Sequence, residues 1–361
     1  MSDWETVPTA SDWSTNPEPP AVTWPRRGVS HYLALGEPTL DPFAFADKLA
    51  SLNANFTRIW LCDAWGIRGD GETGTYDGFC PVERAEDGRW DLFKWSGAYF
   101  DRLRTMAVAL NSRGIVPQFT FLELYTWAAR KSGMMWVPDQ HVGPWRDNVN
   151  SVRWGDPDDP TFFSLPDDWQ KEFMRRVVET LDGTAWVAEL ANEMPEKAMH
   201  ERMADHLRSV GYHGEITVNR NEDTPGQYAN MKIGPHGRYE RIAFHGKGHI
   251  SYLDEFYTRE PVYKTFRDFY DSSACEPARV IWSGDGVGTN NCEIVPNVYD
   301  KDAIRAVVRD AARRGQTIEM QERLWKLGRF CQNRFDLNDC DEDFMRELMN
   351  IAAAEHEERT I

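Results

Sequence analysis

Short apolar runs alternate along this chain with longer segments whose apolar positions recur at helical spacing. The runs predict strands at 28–33, 57–62, 116–122, 185–190, 216–219, 241–244, 279–282 and 317–320. Between and after them the pattern predicts helices at 42–52, 95–112, 168–181, 197–210, 253–257, 263–270, 302–313 and 341–355. Segment 95–112 is the clearest, with Phe100, Leu103, Ala107 and Leu110 on one face and Gly114 placed as a C-terminal cap. Apolar runs alternating with helical patterns are the sequence form of repeated βα units on a parallel sheet. Eight such strands predict an α/β fold, a (β/α)8 TIM barrel spanning residues 27–361 and closed by the last helix.

Two features sit outside that alternation. Residues 1–26 carry Pro8, Pro17, Pro19, Pro20 and Pro25 with Trp4, Trp13 and Trp24 spaced among them, which reads as an extended arm with aromatic anchors. Such an arm either packs across the barrel or mediates self-association with a neighbouring subunit. Three segments after strands, 63–94, 125–167 and 221–240, are long, and loops in that position build the active-site rim of this architecture. They hold Trp65, Tyr76, Trp90, Trp127, Trp136, Trp145, Trp154 and Tyr228, candidates to line a cleft.

Composition narrows the ligand. The 361 residues carry a formal charge of −17, which repels phosphate backbones and anionic lipid surfaces, so nucleic acid and membrane are excluded as partners. Fifteen Trp, 12 Tyr and 18 Phe are more than a core of this size needs, and aromatic planes stack on the C–H faces of sugars, so a carbohydrate substrate fits. The six cysteines form no C-x-x-C pair and the nine histidines no H-x-H, leaving free thiols and a site without metal or organic cofactor as the expectation. The acidic opening Met1-Ser2-Asp3-Trp4-Glu5 is not a secretory leader, and no stretch reaches the length of a membrane span. A soluble chain is expected, cytoplasmic or released by lysis or particle assembly.

The chemistry centres on the run ending Glu189-Leu190-Ala191-Asn192-Glu193, where an apolar strand stops on an amide and a carboxylate. In a barrel that end faces the mouth, and a carboxyl walled there by Trp186, Trp282 or loop aromatics acquires the raised pKa of a general acid. The bland alternative is a surface Glu at the start of the next helix, where Pro195 sits in the first turn. Cleaving a glycosidic bond needs a second carboxylate across the bond. Asp285, after the seventh predicted strand, supplies it, unless Gly284-Asp285-Gly286 is only a turn.

Several stretches appear in a familiar order: Arg27-Gly28-Val29-Ser30, Asn55-Phe56-Thr57-Arg58, Tyr99 to Leu103 followed by Arg113-Gly114-Ile115, then Asn192-Glu193. Over roughly residues 27–325 the chain resembles the clan A glycoside hydrolases, especially the cellulase-like family 5 barrels. The resemblance implies Glu193 as acid/base, Asn192 as donor to the sugar 2-hydroxyl and Arg58 as a partner holding the nucleophile. It also implies His245 as the His or Tyr beside the cleaved sugar. The family places a Glu nucleophile where this chain has Asp285, one methylene shorter, which leaves retention, inversion or a binding-only pocket open. Asp63, Glu123, Trp127 and Trp282 complete the expected substrate contacts. The expected function is hydrolysis of β-glycosidic bonds in a poly- or oligosaccharide, against a catalytically weak carbohydrate-binding or structural barrel, such as a virion component.

Overall fold

A computed structural model of the chain describes residues 21–31, 34–38, 40–61, 78–123, 141–142, 167–192, 197–219, 233, 238–245, 279–283, 301–321 and 342–359. Within them lie strands β1 (Arg27–Ser30), β2 (Phe56–Trp60), β3 (Val82–Arg84), β4 (Trp90–Trp95), β5 (Val116–Glu123) and β6 (His141–Val142). They continue with β7 (Val187–Asn192), β8 (Ile216–Val218), β9 (Arg241–His245), β10 (Val280–Ser283) and β11 (Thr317–Gln321). The helices are α1 (Pro42–Ser51), α2 (Gly97–Asn111), α3 (Asp167–Thr180), α4 (Lys197–Ser209), α5 (Lys301–Arg313) and α6 (Glu342–Glu358).

The eight predicted strands form a closed barrel in the order β1-β2-β5-β7-β8-β9-β10-β11, with β11 returning to β1. Each neighbouring pair is parallel. Strands buried on both faces read as continuous apolar runs, which is why they stood out in the sequence. Gly28 is fixed by close approach, since a Cβ there would lie 2.0 Å from the carbonyl oxygen of Phe56, its register partner on β2. The long segments fall mostly outside the described residues, as do the helices expected at 253–257 and 263–270.

Two sequence expectations shift. Segment 63–94 is not all loop: β3 and β4 pair as an antiparallel ribbon, with β6 added beside β4. Trp95 ends β4 rather than opening a helix, and α2 starts after Ser96, whose side chain accepts from the Tyr99 amide at 3.3 Å. Trp95 stacks on Trp169 and Phe173 of α3, with centroids 5.0 and 6.2 Å away, which joins the ribbon to the helical layer.

Helix α2 also fastens the rim. The Tyr99 hydroxyl donates to the Leu61 carbonyl just past β2 at 2.6 Å. Arg102, buried, donates Nε to the Leu35 carbonyl at 2.7 Å. Its Nη2 donates to the carbonyls of Ala34, Glu37 and Leu40 at 3.2, 2.6 and 2.9 Å, in the loop after β1.

The barrel interior is layered. At the N-terminal end, Phe56 and Ala243 form one apolar group and Val116, Ala185 and Val187 another, and Trp24 packs against both. The Arg241 guanidinium lies 3.6 Å from the Trp24 ring centroid. Arg26 ties this segment down through the Thr317 hydroxyl and the carbonyls of Asn55 and Ala21. Residues 21–26 thus pack on the N-terminal end of the barrel, and residues 1–20 of the expected arm lie outside the described set. No described helix is long and apolar enough to cross a membrane.

Candidate active site

Above the apolar floor the interior turns polar. Residues alternate in and out along a strand, so Phe56, Arg58 and Trp60 share the inner face of β2, and Val116, Gln118 and Thr120 that of β5. Arg58 and Glu189 come from barrel strands separated by β5, so their contact crosses the interior. Arg58 grips Glu189 with both arms of its fork, Nε to Oε2 at 2.5 Å and Nη2 to Oε1 at 2.6 Å, and both residues are 0% exposed. Gln118 Nε2 and the Thr120 hydroxyl donate to Oε2 at 2.8 and 2.6 Å, and Asn219 Nδ2 donates to Oε1 at 2.9 Å. Thr217 extends the network by donating to Gln118 Oε1 at 3.2 Å.

Burial alone would raise the Glu189 pKa. The Arg58 charge, with hydrogen bonds from Arg58, Thr120 and Asn219, outweighs it and holds the carboxyl below the usual range, so Glu189 is a carboxylate and not an acid.

Asn192 closes β7 at the barrel mouth, with Glu123 of β5 as its register partner. Its Oδ1 accepts from Arg58 Nη2 at 2.7 Å and from Asn219 Nδ2 at 3.0 Å. Two donors on one oxygen fix the amide, turning its Nδ2 donor away from the cluster. Glu189 and Asn192 are three residues apart yet reach the same guanidinium, so the in-out alternation changes phase at the end of this strand. Glu193 follows directly in the chain and lies outside the described residues.

The expected site residues divide accordingly. Arg58 and Asn192 come together, but Arg58 spends its fork on Glu189 within the described structure; Asp285, the nucleophile it was expected to hold, lies outside it. Asp63 and Trp127 lie outside as well. The backbones of Glu123, His245 and Trp282 are placed at the ends of β5, β9 and in β10, with His245 level with Ser283, while their side chains fall outside the description. Among the described residues no group of three or more His, Cys, Asp or Glu could hold a metal ion.

Two expected walls of the cleft are elsewhere. Trp186 precedes β7 and packs on Tyr212 with centroids 4.3 Å apart, about 20 Å of strand from Asn192. It cannot desolvate a group at the mouth. Trp90 is buried under the Arg84 guanidinium, 3.8 Å from its ring centroid. Cys80, the one cysteine among the described residues, is half-buried and forms no disulfide, and desolvation pushes its thiol up to about 12, away from the reactive thiolate.

Glu189, Gln118, Thr120 and Asn219 were not expected in the site. For Glu189 the signal is a lone charge inside an apolar run, matched by Arg58, of opposite sign, in another, each requiring a partner; the uncharged Gln118, Thr120 and Asn219 carry no such signal.

No protein-family model matches the sequence, and a comparison with curated proteins gives no match. Solved structures do match in shape. A glycoside hydrolase family 5 mannosidase from Rhizomucor miehei is 9% identical with a TM-score of 0.60, covering 93% of this chain and 94% of that one. An endo-1,4-beta-mannanase from the same organism is 12% identical with a TM-score of 0.56, covering 95% and 99%. A broad-specificity endoglucanase from Clostridium acetobutylicum is 10% identical with a TM-score of 0.50, covering 91% and 96%. Coverage near the full length of both partners, at identities this low, makes the shared property the fold: this chain is a (β/α)8 barrel of the shape used by family 5 glycoside hydrolases.

Proposed function

We propose that this chain is a glycoside hydrolase that cleaves β-glycosidic bonds of a poly- or oligosaccharide with two carboxylates, Glu193 as acid/base and Asp285 as nucleophile or base. The observation that carries the reading is the orientation of Asn192. Its carboxamide oxygen is held by two donors at the mouth end of the fourth barrel strand, which fixes the plane of the amide immediately before Glu193 in the chain.

In this reading the sugar sits over the strand ends, its 2-hydroxyl accepting from Asn192. Glu193 protonates the departing oxygen. Asp285 either attacks the anomeric carbon, with Glu193 then deprotonating the water that releases the sugar, or activates that water directly. His245, Asp63, Glu123, Trp127 and Trp282 contribute contacts to the sugar, and no metal or organic cofactor enters. The names of the neighbours, mannosidase, mannanase and endoglucanase, direct the substrate panel to β-mannans and β-glucans.

The test is reducing-sugar release from that panel by the full chain and by Glu193→Gln, with product anomers followed by NMR. Hydrolysis that falls by about 10³-fold or more in the folded variant supports the assignment. Undiminished hydrolysis removes Glu193 from the mechanism. The anomer assigns Asp285: retention makes it the nucleophile and inversion the base.

A further inference from the structure

We infer that Glu189 is a positioning residue of this site: through Arg58 and Asn219 it fixes the carboxamide of Asn192 as a hydrogen-bond donor at the barrel mouth. The role given to Asn192 rests on the proposed function; the positioning rests on the cluster itself.

Two nitrogens and two oxygens form a closed square. Arg58 Nη2 lies 2.6 Å from Glu189 Oε1 and 2.7 Å from Asn192 Oδ1. Asn219 Nδ2 lies 2.9 Å from that same Glu189 oxygen and 3.0 Å from that same Asn192 oxygen. Each nitrogen is shared between the buried carboxylate and the amide at the mouth. A flipped Asn192 would set its own N–H groups against those two donors, so the square permits one orientation. A carboxylate serving only to neutralise Arg58 would need the fork alone. Here Glu189 also holds Asn219, from the neighbouring side of the barrel, and is steadied in turn by Gln118 and Thr120. Fixed, charge-assisted partners of this kind keep a donor aimed where a ligand atom arrives.

The test has two readouts on the full chain. The first is the side-chain ¹⁵N–¹H signals of Asn192, assigned by their loss in Asn192→Asp and followed without substrate. Glu189→Gln shifts and exchange-broadens them in the folded protein. Because a lone buried Arg58 charge can prevent folding, the charge-neutral pair Arg58→Gln/Glu189→Gln is measured beside it, with the same expectation.

The second readout is hydrolysis of an aryl β-mannoside or β-glucoside against the aryl 2-deoxy-β-glycoside, which lacks the hydroxyl that Asn192 contacts. Glu189→Gln lowers kcat on the hydroxylated substrate by roughly 10–100-fold with KM little changed, and most of that penalty disappears on the 2-deoxy substrate. Unchanged Asn192 signals in either folded variant overturn the positioning. So does an equal penalty on both substrates, or failure of both variants to fold, each of which leaves Glu189 a structural residue. A wild-type chain that hydrolyses no glycoside refutes the proposed function, while the amide signals still decide whether Glu189 sets Asn192.

Discussion

Replacing Arg102 by Met should loosen the rim without touching the polar interior. The Arg102 guanidinium donates to four main-chain carbonyls between Ala34 and Leu40, three of them at 2.6 to 2.9 Å. Met keeps the apolar stem of the side chain and leaves those carbonyls to find other donors. A bond from a charged donor contributes ~1.5–3 kcal/mol, but three acceptors share Nη2 and the variant no longer desolvates a guanidinium, so the net loss is ~3 kcal/mol. That is a large share of the ~5–15 kcal/mol that holds a domain together. Urea unfolding followed by circular dichroism measures it, as a lower midpoint at unchanged slope. Arg102→Lys is the informative control: one compact ammonium cannot span four carbonyls and should recover less than half. A loss below ~1 kcal/mol in the Met variant, or full recovery by Lys, would refute the fork as the fastening.

Two further outcomes follow from the barrel floor and wall. Gly28→Ala places a methyl 2.0 Å from the Phe56 carbonyl oxygen, where only main-chain movement relieves it; we expect a loss of ~3 kcal/mol or failure to fold, read by thermal unfolding, and a shift under ~1 kcal/mol would contradict the close approach. His356 is buried with Nε2 donating to the Gln316 carbonyl at 2.8 Å. Burial, followed by the nearby Arg27 and Arg359 charges, lowers its pKa against the opposing pull of that bond. The unfolded chain therefore takes up a proton near pH ~6.5 that the folded chain refuses. The contribution is complete above that pH and is lost as pH falls toward the lower folded value. His356→Gln keeps the donor without the titration, so its stability should fall less than wild type between about pH 7.5 and 5; equal slopes would exclude His356 as the source.

The barrel was readable because its strands are buried on both faces, and continuous apolar runs separated by amphipathic helices have few other architectures to adopt. The β3–β4 ribbon was not, because its strand character is supplied from far along the chain. Leu92 offers its carbonyl to the Trp169 indole at 3.0 Å, and Trp95 stacks on the same ring. The local pattern, charged and short around Asp87-Gly88, reads as loop. Asn192 was legible from its place at the end of an apolar run. Glu189, three residues earlier, was not, since a charge inside such a run is explained only by Arg58, 131 residues away. Trp186 misled for a related reason: sequence proximity to Glu193 says nothing of direction along the strand, and it belongs to the opposite end of the barrel.

Helix α2 gives two parts of the rim a shared fate. Tyr99 and Arg102 sit three residues apart and hold, respectively, the exit of the second barrel strand and the loop after the first. In terms of amide exchange, Leu61 and residues 34–40 therefore belong to the same cooperative unit as the first turns of α2. A fluctuation that melts those turns frees both segments together, so the mouth of the barrel loosens around two of its eight strands in one event.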